Sequence, residues 1–323
     1  MKEDNSLFNM CFSPSFLYFK LNFCGKVDKR KEEKMEIANE SLIKLHHCRG
    51  ISWKMIDSLL KVDPTLQLDN IPSFISTSLS PTMQREIVET IRSNHVEEQL
   101  NQYRYNHIHV ITFFDPLYPP FLKEIYQPPW VLYAKGDLSL LQSKKKLAIV
   151  GSHMATLYST KVIQKLMKEL VAEEIVIVSG LAHGVDSIAH KLAIENGGKT
   201  IGVIAGGIFH IYPKENRELA GEMMKHHLVL SEYPPLTKPQ KWQFLMRNRI
   251  ISGLSNGTLI VEAKKKSGSL ITANFAVNEG RDVFAVPGNI FSSFSDGPNE
   301  LIQQGAKPVL EAKDILEEWK HLM

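Results

Sequence analysis

From Leu147 onward, short apolar runs alternate with stretches in which apolar residues recur at helical spacing. Six of these runs are rich in Val and Ile and have the length of strands: Leu147–Val150, Ile175–Val178, Thr200–Ile204, Leu228–Leu230, Thr258–Val261 and Val283–Val286. Continuous apolar strands are typical of a parallel sheet that is buried on both faces. Because crossovers between parallel strands are right-handed, the pattern predicts an α/β fold over residues 144–312: a Rossmann-like, doubly wound, mainly parallel sheet.

Residues 36–105 show helical periodicity without strands. Apolar residues recur three or four positions apart, and Ser80-Pro81 has the composition of a helix start. We therefore predict a small helical domain over this range. The segment Cys48–Ser52 is weakly similar to the hairpin of a helix–hairpin–helix DNA-binding module, but a plain helix–turn–helix packing unit is the preferred interpretation.

The remaining segments connect or flank these two domains. Residues 106–143 are rich in Pro and aromatic residues, as in Tyr118-Pro-Pro120, and proline fixes φ and removes a donor. This connection is therefore predicted to be extended and turning, and to pack on the domain that follows. In residues 1–34 five phenylalanines recur at roughly helical spacing before a mixed charge run, and this segment is predicted to be a disordered extension. Residues 313–323 are predicted to form a C-terminal helix.

Small residues follow almost every predicted strand. The turns are Gly151-Ser152, Ser179-Gly180, Ala205-Gly206-Gly207, Ser231 and Pro287-Gly288, and the remaining strand leads to Ser267-Gly268-Ser269. Ligands of open α/β sheets bind at the carboxyl ends of the strands. A row of small residues at that edge favours close approach of a phosphate backbone, whereas a single such turn is ordinary strand-to-helix geometry.

Cations are concentrated at two predicted helix starts near this edge. Arg247, Asn248 and Arg249 precede one apolar helical run, and Lys264–Lys266 precede Ser267-Gly268-Ser269 and another. Helix starts carry free N–H groups and a partial positive charge, so added cations favour phosphate. Two residues apart on a helix, the arginines point to different faces. We expect one to contact phosphate and the other to fix a neighbouring loop or Glu262.

Charge supports a polyanion as the ligand of this domain. The chain of 323 residues has a net charge of +3, and residues 144–310 carry 20 Lys and Arg against 14 Asp and Glu. An excess of this size also fits an ordinary solvated surface. The three cysteines have no CxxC spacing, so a zinc site is disfavoured, and their sparse use is typical of the cytoplasm.

Several motifs do not fit enzymes of familiar classes. Gly198-Lys199-Thr200 precedes a strand, whereas the phosphate loop of ATPases follows one, and no Gly-x-Gly-x-x-Gly follows the first strand. Lys199 alone remains a candidate for phosphate. Asp186 and His190, four residues apart on a predicted helix, form either an acid–base pair or two structural contacts, and the structural interpretation is preferred.

Ordered sequence blocks over about residues 107–310 resemble the DNA-processing protein A (DprA/Smf) family. They are Ala148–Ser152, Val178–His190, Gly197–Val203, Tyr212–Asn216, Leu230–Tyr233, Arg247–Ser255, Ser267–Thr272, Gly280–Gly288 and Leu301–Ala306, together with Glu262 and Gly297. The helical region 36–105 is similar to the small SAM-like domain that precedes the fold in this family.

The resemblance implies a protein without enzymatic activity or cofactor that binds single-stranded DNA and helps to load RecA in natural transformation. It also implies a homodimer formed through the Rossmann-like domain, in the cytoplasm. The DNA-binding residues that it implies, together with the turns and cations above, are Gly151, Ser152, His153, Gly180, Gly184, Lys199, Gly206, Arg247, Asn248, Arg249, Lys264, Ser267, Gly268 and Ser269.

One departure from the family pattern changes the expected binding. The family usually has Gly-Ser-Arg after the first strand, and here His153 stands in place of the arginine. Histidine is mostly neutral at pH 7, so we expect weaker and more pH-sensitive DNA binding. The chain beyond Trp319 is also expected to lack the winged-helix tail of some relatives. The alternatives are a nucleotide phosphoribohydrolase-like enzyme on a related fold and a nucleotide-sensing module.

Overall fold

The computed structural model describes residues 29–66 and 80–320. The predicted disordered extension lies outside these residues, except that residues 29–34 belong to the first helix. The chain divides into two compact units: one runs to Glu97 and includes Lys123–Pro128, and the other comprises Glu98–Leu122 and the chain from Pro129 onward. The division falls earlier than the predicted boundary at residue 105, and most of the predicted connection 106–143 belongs to the second unit.

The first unit is helical, and its helices begin where their capping residues predict. Its elements are α1 (Lys29–His47), α2 (Trp53–Val62), α3 (Pro81–Arg92) and the first turn of α4 (His95–Tyr105). Ser52 accepts a hydrogen bond from Met55 N at 3.3 Å and Ser80 from Met83 N at 3.4 Å, which satisfies free donors of α2 and α3. Its core includes Leu42, Leu45, Ile56 and Ile87.

The second unit is built on a sheet of nine strands. They are β1 (His109–Thr112), β2 (Val131–Gly136), β3 (Lys146–Val150), β4 (Val176–Ser179), β5 (Thr200–Ile204), β6 (Leu228–Ser231), β7 (Gly257–Ile260), β8 (Asp282–Ala285) and β9 (Lys307–Pro308). Their order is β1-β2-β6-β5-β4-β3-β7-β8-β9. The ladders from β6 to β9 are parallel. All six predicted strands are present within one residue of their predicted ends, and the predicted α/β fold is confirmed.

The remaining α-helices lie in or beside the connections between strands: those from Leu157 to Gln303 join parallel strands, Pro120–Lys123 lies between the antiparallel strands β1 and β2, and Lys313–Leu316 follows β9. They are α5 (Pro120–Lys123), α6 (Leu157–Ala172), α7 (Val185–Glu195), α8 (Arg217–His226), α9 (Lys241–Leu254), α10 (Gly268–Asn278), α11 (Asp296–Gln303) and α12 (Lys313–Leu316). Helix α6 packs against α7, and α9 against α10, while α7 and α9 both contact β3, β4 and β5. Strands β3 to β7 are buried along their whole length, so their sequences are nearly continuous apolar runs.

Two strands lie in the segment that was predicted to be a connection. Strand β1 pairs with β2, and β2 pairs with β6, both antiparallel. At their ends, Phe113 packs edge to face on Trp130 and at a tilt on Tyr118. The Tyr118 hydroxyl donates to Pro129 O at 2.8 Å. The prolines lie outside β1 and β2, so they punctuate strands whose own residues are apolar. The high proline content of residues 106–143 therefore led to the prediction of a connection without strands.

The strand order reverses direction at β3. Strands β4, β5 and β6 follow one another on one side of β3, and β7 and β8 lie on the other side. Loops from adjacent strands therefore diverge at the carboxyl ends of β3 and β7. Such a switch point is where open α/β sheets leave room for a ligand.

Candidate nucleic-acid interface

A cavity of about 320 Å³ opens at the carboxyl ends of β3 and β7. It is lined by Val150, Gly151, Ser152, His153, Met154, Asp186, Phe244, Leu245, Arg247, Asn248, Ile251, Lys264, Ser267, Gly268, Ser269 and Thr272. We call it the switch-point cavity. It brings together nine of the predicted DNA-binding residues: Gly151, Ser152, His153, Arg247, Asn248, Lys264, Ser267, Gly268 and Ser269. The other five, Gly180, Gly184, Lys199, Gly206 and Arg249, do not line it.

Arg247 lies at the base of the switch-point cavity and is held there by protein groups. Its side chain is buried, its Nη1 donates to Val203 O at 3.2 Å, and it lies 3.9 Å from an Asp186 carboxylate oxygen. Its Nε has no hydrogen-bond partner. Burial raises the pKa of Asp186, and the nearby guanidinium opposes that rise. Arg247 therefore places a buried positive charge beneath the cavity, with the Asp186 carboxylate beside it.

Asp186 and His190 do not form an acid–base pair. The Asp186 carboxylate accepts from Gly180 N at 3.1 Å, whereas His190 Nδ1 lies 2.6 Å from Thr200 Oγ1. His190 is fully buried, and burial lowers its pKa to about 3. Each side chain thus fixes its own neighbour, as the structural interpretation predicts.

Arg249 points away from the switch-point cavity. It is 3% exposed, and its Nη2 donates to the carboxylate of Glu232, the residue after β6. The two arginines face different sides of α9 because they are two residues apart. One arginine does fix a neighbouring loop, as predicted, but through Glu232 and not Glu262. The prediction that Arg249 contacts DNA does not agree with its burial in this ion pair.

Lys199 lies at the opposite edge of the sheet. It precedes β5, so it stands at an amino end, where its Nζ donates to His226 O at 3.0 Å. Its Nζ is also 3.8 Å from the carboxylate of Asp137. Lys199 lines a separate cavity of about 610 Å³ that includes Lys144 and Lys145. Lys199 therefore lies apart from the cations of the switch-point cavity, because a residue before a parallel strand lies at the amino edge of the sheet; its contact with DNA stays a prediction.

The glycines beyond the switch-point cavity make room for protein atoms. A Cβ on Gly180 would overlap the Arg247 guanidinium, and one on Gly184, whose φ is +74°, would overlap Ser152 O. A Cβ on Gly206 would lie 3.0 Å from Pro239 Cδ. These small residues let the loops pack on one another, so they do not offer a surface to a ligand. In contrast, a Cβ on Gly268 would meet no atom within 4 Å.

Glu262 holds the loop after β3 in place. Its backbone O accepts from Ser152 N at 2.7 Å. Its buried carboxylate accepts from Thr156 N at 3.0 Å, from Thr156 Oγ1 at 2.8 Å and from Ser159 Oγ. The sequence showed only a carboxylate after a strand with no partner at a defined spacing, because its donors lie about a hundred residues away. His153 is exposed on the loop that Glu262 fixes.

The start of α10 forms one wall of the switch-point cavity. Ser267 precedes this helix without capping it, and its hydroxyl instead lies 2.7 Å from that of Ser269. Asn248 Nδ2 donates to Gly268 O at 3.2 Å, which joins α9 to this turn. Uncapped N–H groups and the positive helix end favour an anion here. Exposed Lys264 adds a positive charge to the same wall.

Comparison with known proteins agrees with this architecture. The family model for DNA recombination-mediator protein A matches residues 109–320. The chain belongs to this family. The DNA processing protein DprA of Bacillus subtilis is 46% identical over 295 residues, 87% of this chain and 96% of the relative. DprA of Streptococcus pneumoniae is 41% identical over 290 residues, 88% of this chain and all of the relative.

Solved structures of the family superpose on this chain. The X-ray structure of S. pneumoniae DprA matches with a TM-score of 0.73 and 38% identity, covering 91% of this chain and 99% of that one. DprA of Helicobacter pylori, a structure of its single-stranded DNA binding mode, matches with a TM-score of 0.60 and 33% identity. That match covers 65% of this chain and 94% of the other.

Over residues 29–66 and 80–320, no group of three or more His, Cys, Asp and Glu side chains is arranged to hold a metal ion. No helix in the same part of the chain combines the length and the apolar character needed to cross a membrane.

Proposed function

We propose that the protein binds single-stranded DNA in the switch-point cavity. A phosphate group lies at the start of α10 within reach of Lys264, and the apolar side chains of Met154, Phe244 and Leu245 contact the adjoining nucleotide. A cavity of about 320 Å³ is at the small end of the range for nucleotide-sized ligands, so it has room for one unpaired nucleotide but not a duplex. The single-stranded DNA binding of the H. pylori relative supports the proposal.

The observation that carries this proposal is the convergence of three positive elements on one cavity. They are the uncapped start of α10, the exposed Lys264 and the buried Arg247. The acidic side chain in the lining is Asp186, and it already lies against Arg247. The residual charge is therefore positive and suits a phosphate group, which carries no sequence information.

The direct test is binding of a labelled oligothymidylate and of a duplex of equal length, followed by fluorescence anisotropy over a range of salt concentrations. We expect tighter binding of the single strand and a log–log salt slope of about −0.7 per phosphate contacted. A salt-independent affinity, or a preference for the duplex, would contradict the proposal. A preference for a free nucleotide over any oligonucleotide would favour the nucleotide-sensing alternative.

We also propose that the protein acts as a homodimer that helps RecA to load on the bound strand during natural transformation. The description of the family as recombination mediators supports this role. Sedimentation equilibrium tests the dimer, and RecA filament assembly on single-stranded DNA, with and without the protein, tests the mediator role. Monomers at all concentrations, or an unchanged assembly rate, would contradict the respective parts.

We propose finally that the protein performs no chemistry on the strand. A phosphoribohydrolase needs a carboxylate that is free to act on the nucleotide. Asp186 lies against Arg247, and the carboxylate of Glu262 accepts three hydrogen bonds from the loop after β3 and from α6. Release of free base from nucleoside monophosphates, measured by chromatography, is therefore expected to stay at the level of a protein-free control.

A further inference from the structure

The loop after β8, residues 287–295, exposes two adjacent apolar side chains. Ile290 is 78% exposed and Phe291 is 91% exposed. Isolated exposed apolar residues are common on protein surfaces and need no explanation. Here an aliphatic and an aromatic side chain lie next to each other at the carboxyl edge, where the candidate ligand binds. Nucleobases stack on aromatic side chains, so this pair is a candidate contact for a base.

Hydrogen bonds brace this loop on both sides. Gly288 N donates to Asn299 Oδ1 at 3.1 Å, and Asn299 Nδ2 donates back to Gly288 O at 3.0 Å. Phe291 N donates to Asn289 Oδ1 at 2.9 Å, and the Tyr158 hydroxyl donates to Pro287 O at 2.7 Å. The apolar pair is therefore presented on an ordered backbone, which reduces the entropic cost of contact with a partner.

The loop is joined to the wall of the switch-point cavity. Ala263 N donates to Phe294 O at 2.7 Å, and Gly297 N donates to Ala263 O at 2.9 Å. The next residue, Lys264, places its Nζ 4.8 Å from the centre of the Phe294 ring while also lining the cavity. Lys265 and Lys266 are exposed beside it. Lys264 therefore lies between the switch-point cavity and this loop, and two further exposed lysines follow it in the chain.

Another cavity, of about 530 Å³, lies beside the loop. Its lining residues are Thr156, Tyr158, Glu262, Pro287, Gly288, Asn289, Ser292 and Ser295. The Glu262 carboxylate in this lining is buried and accepts hydrogen bonds from Thr156 and Ser159.

We propose that a single strand leaving the switch-point cavity crosses Lys264–Lys266 and places its next bases on Ile290 and Phe291. This inference rests on the proposed function and extends its site. The positive charges of the three lysines complement the phosphates of the strand. The apolar side chains of Ile290 and Phe291 provide a surface for the faces of its bases. Nucleic acid fits better than a second copy of this chain, because a copy packed symmetrically here would bring its own three lysines against these.

The test compares a length series of oligothymidylates on the wild-type protein and on Phe291→Ala. The wild-type affinity is expected to rise with length, and the variant to lose about tenfold for the longer oligomers while matching the wild type for the shortest that bind. Phe291→Trp keeps a stacking surface and is expected to retain the affinity. Tyr105→Ala removes an aromatic side chain that is 86% exposed on α4 and is the matched control.

Each other outcome has a distinct meaning. If wild-type protein binds no oligomer of any length, the proposed function fails, and this extension with it. If the wild type binds and Phe291→Ala equals it at every length, only the extension is wrong. A Phe291→Ala protein that loses self-association but keeps its DNA affinity would overturn the extension and assign the pair to contact between copies.

Discussion

Gly180 and Arg247 occupy adjoining space, and the absence of a side chain on the glycine lets the guanidinium reach Asp186. A Cβ on residue 180 would overlap Arg247 Nη1 and lie close to the Asp186 carboxylate. The same glycine donates its N–H to that carboxylate at 3.1 Å. The buried charge beneath the switch-point cavity thus depends on a residue that does not line it.

Gly180→Ala is therefore expected to destabilise the protein. The added methyl group must displace a buried arginine, and overpacking of this kind costs about 1–3 kcal/mol. Urea denaturation measures the change in the free energy of unfolding. Gly221→Ala is the control: this helical glycine on α8 has no atom within 4 Å of an added Cβ, so the change is expected to stabilise by about 0.5–1 kcal/mol. Equal stability of Gly180→Ala and wild type would contradict the packing described for Arg247.

Substitution of Lys264 is expected to lower DNA affinity, whereas substitution of Arg247 is expected to lower stability. Lys264→Ala removes an exposed charge, so stability is expected to stay within about 0.5 kcal/mol of wild type while single-strand affinity falls and the salt slope becomes shallower by about 0.7. Arg247→Ala leaves Asp186 buried without its cation, at a cost of about 3 kcal/mol. Anisotropy and urea denaturation separate the two effects.

Lys54→Ala, an exposed lysine on α2, is the control for the Lys264 variant and is expected to change neither quantity. If Lys264→Ala bound DNA with wild-type affinity and slope, the start of α10 would not be the phosphate site.

Glu279→Gln is expected to stabilise the protein at high pH. Burial raises the pKa of Glu279 to about 7 although Ser252 donates to one oxygen, and the other oxygen has no partner. The folded state thus holds a proton that the unfolded state releases near pH 4.5, so wild-type stability falls as pH rises from about 4.5 to 7. Glutamine removes this loss, which is up to about 3 kcal/mol above pH 7.

Urea denaturation of both proteins between pH 4 and 8 checks this prediction. The difference between variant and wild type is expected to grow across that window and then to level off. A difference that is constant with pH would mean that Glu279 titrates normally in the folded protein.

His153→Arg is expected to strengthen single-strand binding. His153 is exposed on the loop that Glu262 fixes, and it lines the switch-point cavity. Arginine adds a permanent charge and a planar fork that suits phosphate, so we expect several-fold higher affinity at pH 7 and a salt slope steeper by about 0.7. Anisotropy at pH 6 and pH 8 is the measurement. His153→Gln is the neutral control, and an arginine variant no tighter than the glutamine variant would show that residue 153 does not contact the strand.

The parts of the fold that the sequence predicted are those set by local pattern. Six strands follow from continuous apolar runs, and the start of α3 follows from Ser80 and Pro81. Strands β1 and β2 were missed because prolines outside the strands dominated the composition of residues 106–143. Their pairing with β6 is a long-range contact that no local pattern encodes.

The sequence predicted the site to the extent that the place of a residue, before or after a parallel strand, determines the edge of the sheet at which it lies. The residues after β3 and β7 line one cavity because both loops leave the carboxyl edge, whereas Lys199 lies at the other edge because it precedes its strand. Spacing on α9 predicted that Arg247 and Arg249 would diverge, but it did not give Glu232 as the partner of Arg249. The sequence also did not show that Gly180 leaves room for Arg247 and Gly184 for Ser152 O. Such close approaches arise only when distant loops meet.

The antiparallel pair β1–β2 determines how far the second unit can be truncated from its N-terminal side. Strand β2 covers β6, whose residues Leu228–Ser231 are all buried and apolar or small. A fragment starting at residue 144 would leave the backbone N–H and C=O groups of β6 as an unprotected apolar edge, and such edges template aggregation. An expression boundary ahead of His109 keeps that edge closed, and it agrees with the first residue that the family model matches.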